Sequence, residues 1–379
     1  MLLLGPAQSL HTRRWAAALA GRGHRVVLAG WAPAEPLAGV DLRVPPGAPG
    51  AGRSSLGAVR RLLATGWWLR REVRQVRPDV VHVHSVGRAG LLALALPRVP
   101  VRVVTPWGSE LRAATRSRLR RWVTRLTLHR ADLVVPTSRS VTEEITRRYR
   151  VPAARTATLS WGVDDTLLAS LGTVDPAAVR RRHGIPEQAT VLLSMRGVAP
   201  VYRPDDVLSA YGHVRGERPD LHLVVLAGHV PGEASAAREH AAGLARVREM
   251  ADTSSGRLTL VDRTLSPAET FALMRASDVA LSVPRGDQRS SAVLEAALAG
   301  CRLLLSDLPP YRELLADGLV AEVLPEPLAT TLAGRLRTVQ GLPAVDRATN
   351  RAFIETHELW SRQVSAMEHW YRRLSSTSR

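Results

Sequence analysis

The segment PRGDQRSSAVLEAALAG, residues 284–300, sets one carboxylate at Asp287 and a second at Glu295, eight residues on, across a polar turn that runs into an apolar helix. The first N–H groups of a helix have no partner inside it and carry the positive end of its dipole, so the backbone of Ser290, Ser291, Ala292 and Val293 suits an anion such as a diphosphate. Carboxylates beside such a site are not anion ligands. They are acceptors suited to vicinal hydroxyls, placed around an anion that the helix would hold. A solvated loop aspartate followed by an ordinary helix glutamate is the competing reading of the spacing alone.

A scaffold must hold these groups, and the sequence alternates strands with helices from its start. Apolar runs without period-two alternation recur as MLLLG, RVVLAG, DVVHVHS, VRVVTPWG and DLVVPTS, then as TVLLSMRG, LHLVVLAGH, LTLVD, DVALSVPRG and CRLLLSD. Such runs indicate parallel sheets covered on both faces. Between the two series, SLGTVDPAAVRRRHGIPEQA reads as a linker. The expected architecture is α/β, with two doubly wound domains facing a central cleft. Ligands of open parallel sheets lie at the carboxyl ends of the strands. The chemically distinctive residues fall there: His11, His84 with Ser85, Trp107 to Glu110, Arg196, Gly228 and Asp287.

Composition narrows the classes. With 379 residues, 45% hydrophobic and 23% charged, the chain is long enough for two cores. Its longest uncharged apolar run, residues 89–97, is far short of the roughly 20 residues of a membrane span. The start, MLLLGPAQSL, lacks a positive leader and reads as a first strand rather than a signal peptide. A soluble, cytoplasmic protein is expected. Cys301 is the only cysteine, so an intrachain disulfide and a cysteine-rich zinc site are excluded, and a packed thiol is expected. All 52 basic residues are arginine, which excludes a phosphate loop with its lysine and Schiff-base chemistry. No G-x-G-x-x-G follows a strand, so a dinucleotide dehydrogenase is disfavoured.

The formal charge of +18 is uneven: 27 arginines face 10 acids through Asp165, and 25 face 24 beyond it. The first half therefore suits an anionic surface or substrate, either membrane phospholipid or a phosphate-bearing acceptor. Solvated arginine-rich helix faces are the plainer account. Within residues 53–77, Trp67 and Trp68 lie among arginines. That describes either a membrane-interface helix or, as the simpler expectation, a crossover helix burying Leu62, Leu63 and both tryptophans. The tract VPPGAPGAGRSS, residues 44–55, reads as a mobile loop.

Taken together, SLHTRRWAAALAGRGHRV, RPDVVHVHS, VTPWGSEL, LSWGVD, SMRGVAPVYRPDDVLSAY, DQRSSAVLEAALAGC and SDLPPYRELLADG resemble glycosyltransferase family 4, the retaining, nucleotide-sugar-dependent group with the GT-B fold. The resemblance covers nearly the whole chain. It implies an N-terminal Rossmann-like acceptor domain at residues 1–168, a C-terminal donor domain at 169–351, and a last helix, 352–374, returning to the first domain. It implies that Glu295 accepts from the ribose hydroxyls of the donor, that Asp287 orients the donor sugar, and that Arg196 binds the diphosphate. A guanidinium there steadies the leaving group. Arg263 matches the loop that holds the base, with Gly228 letting the chain pass close to the same ligand. His11, His84, Trp107, Gly108 and Glu110 fall in the acceptor or sugar pocket.

Two departures stand out. The family's phosphate-binding lysine falls here at Val201 or Tyr202, leaving Arg203 as a substitute cation or as an exposed side chain; Arg and Lys differ in reach and geometry. Trp107 stands where many members place a histidine. The implied reaction is retaining transfer of a sugar from a nucleoside diphosphate, most commonly UDP, to a hydroxyl of a glycan, lipid-linked or small-molecule acceptor, in cell-envelope polysaccharide or glycoconjugate synthesis. No metal and no cofactor beyond the nucleotide-sugar co-substrate is expected, nor a nucleic-acid partner; peripheral attachment to the inner membrane face is. The alternatives are another GT-B enzyme such as a nucleotide-sugar 2-epimerase, and a catalytically silent GT-B binding protein.

Overall fold

The computed structural model describes residues 1–46, 55–228 and 234–377. Most of the Pro/Gly-rich tract, residues 47–54, lies outside them. Contacts divide the chain into two compact units, Met1–Ser160 with Arg362–Arg379, and Trp161–Ser361.

In the first unit, strands β1 (Leu2–Leu4), β2 (Val26–Ala29), β3 (Val40–Arg43), β4 (Val80–His84), β5 (Val101–Thr105) and β6 (Leu133–Val134) form one parallel sheet ordered β3-β2-β1-β4-β5-β6. Apart from the edge strand β3, its strands are buried along their whole length because helices cover both faces. The connecting helices include α1 (Leu10–Gly21), α2 (Ser55–Val76), α3 (Arg88–Ala93), α4 (Ser109–Thr115) and α5 (Arg118–His129). α2 packs on α3 and α3 on α5, with Leu69, Val73, Leu92 and Leu128 buried in the shared core.

The second unit repeats this plan. Strands β7 (Thr190–Ser194), β8 (Leu221–Leu226), β9 (Leu258–Val261), β10 (Val279–Ser282), β11 (Arg302–Ser306) and β12 (Glu322–Leu324) are parallel and ordered β12-β11-β10-β7-β8-β9. Counted from its own first strand, the order is the same as in the first sheet. Each sheet reverses its winding beside its first strand, between β1 and β4 and between β7 and β10, and such a switch point opens a crevice at the strand ends.

Three expectations are corrected. Residues 170–189 are not a slack linker: Asp165–Ala169 and Pro176–Arg182 are helical, capped by Asp164 and Asp175, and Leu171, Val179 and Ile185 pack on the second core. The polar residues that suggested a linker are caps and a wet face. Residues 352–374 are not one helix either. A wide turn at Ile354–Glu358 separates Ala344–Phe353 from the last helix, Trp360–Thr377. That last helix is tied to the first unit, where Glu368 accepts from Arg22 at 2.8 Å and Tyr371 lies 2.6 Å from His82. On α2, finally, Leu62 and Trp68 do pack on the core, but Leu63 and Trp67 are 68% and 69% exposed.

Candidate active site

The second unit gathers the acid pair's first member and the arginine at its switch point. Arg196 follows β7 and Asp287 follows β10, adjacent strands, and their side chains meet: Arg196 Nη2 lies 2.8 Å from Asp287 Oδ2, with 20% and 18% of the side chains exposed. Arg196 Nη1 donates to Ser290 Oγ at 2.7 Å. Ser290 is the residue before the helix Ser291–Ala299, and its side chain is not spent on capping that helix. The start of the helix, with no side-chain cap from Ser290, thus lies beside a guanidinium. Burial alone opposes the Arg196 cation, but Asp287, Tyr311, Tyr202 and Glu295 outweigh it and its pKa lies above the ordinary value. The Tyr202 ring stacks 5.3 Å from the guanidinium carbon.

Sequence reasoning missed Tyr311. Its ring is fully buried, and its hydroxyl donates to Asp287 Oδ2 at 2.8 Å while lying 2.9 Å from Ser282 Oγ. With the phenolic proton committed to the carboxylate, Ser282 is the donor of the second bond. A relay of Ser282, Tyr311, Asp287, Arg196 and Ser290 therefore fixes the carboxylate from behind. Only its place in SDLPPYREL, after β11, could have marked it. Arg289 was missed as well: it donates to Glu358 Oε1 at 2.9 and 2.5 Å and to Asp317 Oδ2 at 2.8 Å. The loop carrying Asp287 is thereby pinned on both sides.

Other second-unit residues behave differently from expectation. Arg203 is neither a spare cation nor exposed. Its side chain is buried, donates to Asp206 at 2.6 Å and forks onto Glu326, partners that raise its pKa against the effect of burial. Gly228 meets protein rather than open space: a Cβ there would stand 1.8 Å from the Arg263 carbonyl oxygen, and its own carbonyl accepts from Thr264 at 2.9 Å. The Arg263 side chain pairs with Glu269 at 2.8 Å at the surface. Glu295, on the first helical turns after Ser290, is half-buried and close enough to raise the Arg196 pKa. Cys301 is a buried thiol whose Sγ donates to the Met274 carbonyl at 3.1 Å, and burial pushes its pKa up to about 12.

In the first unit, Glu110 organises the loops after β4 and β5. One carboxylate oxygen, Oε1, accepts from the backbone N–H of Trp107 at 2.7 Å and of Val86 at 3.1 Å. Both loops are bent: Ser85 has φ 83° and Gly108 φ 90°. The serine is the costly one, on the order of 1–3 kcal/mol, so Glu110 braces a strained turn. His11 is exposed and meets the Trp107 ring edge-on at 5.8 Å. His84 does not face solvent at all. It is fully buried, stacked 4.3 Å from His82, with neither ring nitrogen hydrogen-bonded. Burial, followed by the influence of His11, pushes its pKa down to about 3. A group so placed is a neutral packing element.

Residues 8–167 match the family model described as Glycosyltransferase Family 4. A D-inositol 3-phosphate glycosyltransferase 2 of Catenulispora acidiphila is 26% identical over 279 residues, 71% of this chain and 59% of the relative. One of Geodermatophilus obscurus is 29% identical over 201 residues, covering 52% and 42%. The matches thus span 59% and 42% of the lengths of these two relatives. Among solved structures, a sucrose-phosphate synthase from Thermosynechococcus elongatus superposes with TM-score 0.79 at 16% identity, covering 99% of each chain. Anabaena Alr3699/HepE in complex with UDP gives 0.70 at 13%, covering 98% and 99%. Residues 8–167 are thus similar to glycosyltransferase family 4, and the two parallel six-stranded sheets have the GT-B architecture of these solved structures.

Proposed function

We propose that the chain is a retaining glycosyltransferase that moves a sugar from a nucleoside diphosphate, with UDP the first candidate, to a hydroxyl of a phosphate-bearing acceptor. The observation that carries this reading is the Arg196 guanidinium bridging Asp287 and Ser290 at the start of the helix Ser291–Ala299. A diphosphate on that helix start would draw Arg196 toward its oxygens and release Asp287 to accept from the sugar hydroxyls. Glu295 takes the ribose hydroxyls, and the turn at Gly228 and Arg263 lies toward the base. As the glycosidic bond breaks through an oxocarbenium-like state, negative charge grows on the departing phosphate, where the guanidinium and the helix dipole stabilise it.

His11, Trp107 and Gly108 belong in this reading to the acceptor loops, with Glu110 holding them. The arginine excess of the first half and the activity named for the curated relatives, transfer to an inositol phosphate, support an anionic acceptor. Synthesis of a cell-envelope glycoconjugate is the setting this reading fits.

The test is a thermal-shift panel of nucleotide sugars, since a ligand that binds only the folded state raises its stability. Turnover of the best binder with inositol phosphates and lipid-linked acceptors follows, with the anomeric configuration of the product read by NMR. An inverted product, or an epimer formed from the nucleotide sugar alone, overturns the proposal. So does nucleotide-sugar binding without transfer to any acceptor.

A further inference from the structure

Eight large hydrophobic side chains are exposed among the described residues, and five of them lie on α2 and α5. On α2, Val59, Leu63 and Trp67 recur every fourth residue and are 55%, 68% and 69% exposed. At 3.6 residues per turn they share roughly a third of the helix circumference with Arg70, Arg71 and Arg74. The opposite face carries the core residues Leu69 and Val73. On α5, Leu119 and Trp122 are 69% and 60% exposed, beside Arg118, Arg121 and Arg125 at spacings of three and four. Short α3 packs against both helices.

The charge is as one-sided as the hydropathy. α5 contains no acid, and the single acid of α2, Glu72, is taken by Arg43 at 2.6 Å. Among the described residues no carboxylate pairs with Arg71, Arg74, Arg118 or Arg125. A surface that combines tryptophan, leucine and unneutralised arginine matches the chemistry of a bilayer interface, where the rings and aliphatic chains enter the headgroup boundary and the cations meet lipid phosphate. A nucleic-acid backbone would give the exposed Val59, Leu63 and Leu119 nothing to bury against. Among the described residues no helix is long and apolar enough to cross a membrane, so the contact is one of lying on the surface.

We propose that the outer faces of α2 and α5 form a docking surface for an anionic phospholipid bilayer, centred on Trp67 and Trp122. The proposal goes beyond the transfer reaction and does not depend on it, because its readout is vesicle binding. The full chain is floated with vesicles of phosphatidylcholine alone or mixed with phosphatidylglycerol, at low and high salt. The expected result is retention by the mixed vesicles, at least tenfold weaker binding to phosphatidylcholine, and loss as salt rises. Replacing Arg71 and Arg74 with Gln should weaken binding roughly fivefold for each residue. The double variant Trp67→Ser, Trp122→Ser should weaken it at least tenfold while melting temperature and nucleotide-sugar binding stay unchanged, since both side chains are exposed. Equal binding to both vesicle types, or variants that bind like the parent, overturns the proposal. So does self-association or nucleic-acid retention that these variants abolish in a chain that ignores vesicles.

Discussion

Replacing Tyr311 with Phe removes one oxygen from a fully buried position and tests the relay behind Asp287. The phenolic O–H donates to Asp287 Oδ2 at 2.8 Å, and the phenolic oxygen accepts from Ser282 Oγ at 2.9 Å. A hydrogen bond to a charged group is worth about 1.5–3 kcal/mol, so a loss near 2 kcal/mol is expected. For a unit of this size that lowers the melting temperature by about 4–8 °C. Asp287 keeps its bond to Arg196 but loses its fixed orientation. If the same 2 kcal/mol is felt where the sugar is positioned, kcat falls about thirtyfold. Nucleoside diphosphate affinity should stay within about twofold, because in this reading it rests on Arg196 and the helix start. Isothermal titration with UDP and with the nucleotide sugar, alongside steady-state kinetics, separates the terms. A variant with parental kcat, or one that loses UDP affinity as steeply as nucleotide-sugar affinity, refutes the reasoning.

Arg196→Lys keeps the charge but gives up the fork that reaches both Asp287 and Ser290; titration should show nucleoside diphosphate binding at least about thirtyfold weaker. Arg203→Met should lower the melting temperature by a loss of about 1–3 kcal/mol, since it leaves Asp206 and Glu326 without their partner, yet leave that affinity unchanged; weaker binding would restore Arg203 to the site. His84, depressed to about 3 when folded, takes up its proton in the unfolded chain first. Its contribution is therefore complete above about pH 6.5 and fades as pH falls, costing about 2 kcal/mol at pH 5. Denaturant titrations of His84→Leu should show a pH 7 to 5 loss smaller than the parent's by that amount. Glu110→Gln keeps one acceptor but loses the charge that holds Trp107 and Val86; acceptor KM should rise about tenfold with kcat little changed, as initial-rate kinetics would show.

Much of this was legible beforehand, and the reasons are physical. Doubly covered strands must be apolar throughout, so ten of the strand segments could be read from runs such as VVHVH and TVLLS. The edge strands β3 and β12 could not: VDLR and EVL are short and carry charges, because an edge has a wet side. The meeting of Arg196 with Asp287 followed from strand ends at a switch point, a rule of topology rather than of composition. What stayed hidden was whatever depends on which way a side chain turns. Arg203 looks like any loop arginine until Glu326 is found beside it. Gly228 marks a close approach, but a sequence cannot say whether ligand or neighbouring backbone makes it. Leu63 and Leu62 are indistinguishable by type, and only helical phase sends one inward and the other to solvent.

The wide turn at Ile354–Glu358 has a consequence for the far side of its unit. A turn of this kind holds one residue more than an α-helical turn, and its last residue, Glu358, receives Arg289 from 69 positions upstream in sequence. Deleting a residue there to restore regular winding would swing that carboxylate by roughly 100° and strand a buried guanidinium next to Ser290. The segment is a spacer whose length sets where Glu358 meets Arg289, and in the proposed reading of the Asp287 loop, chains that differ by one residue in it should differ in donor affinity even with identical contact residues.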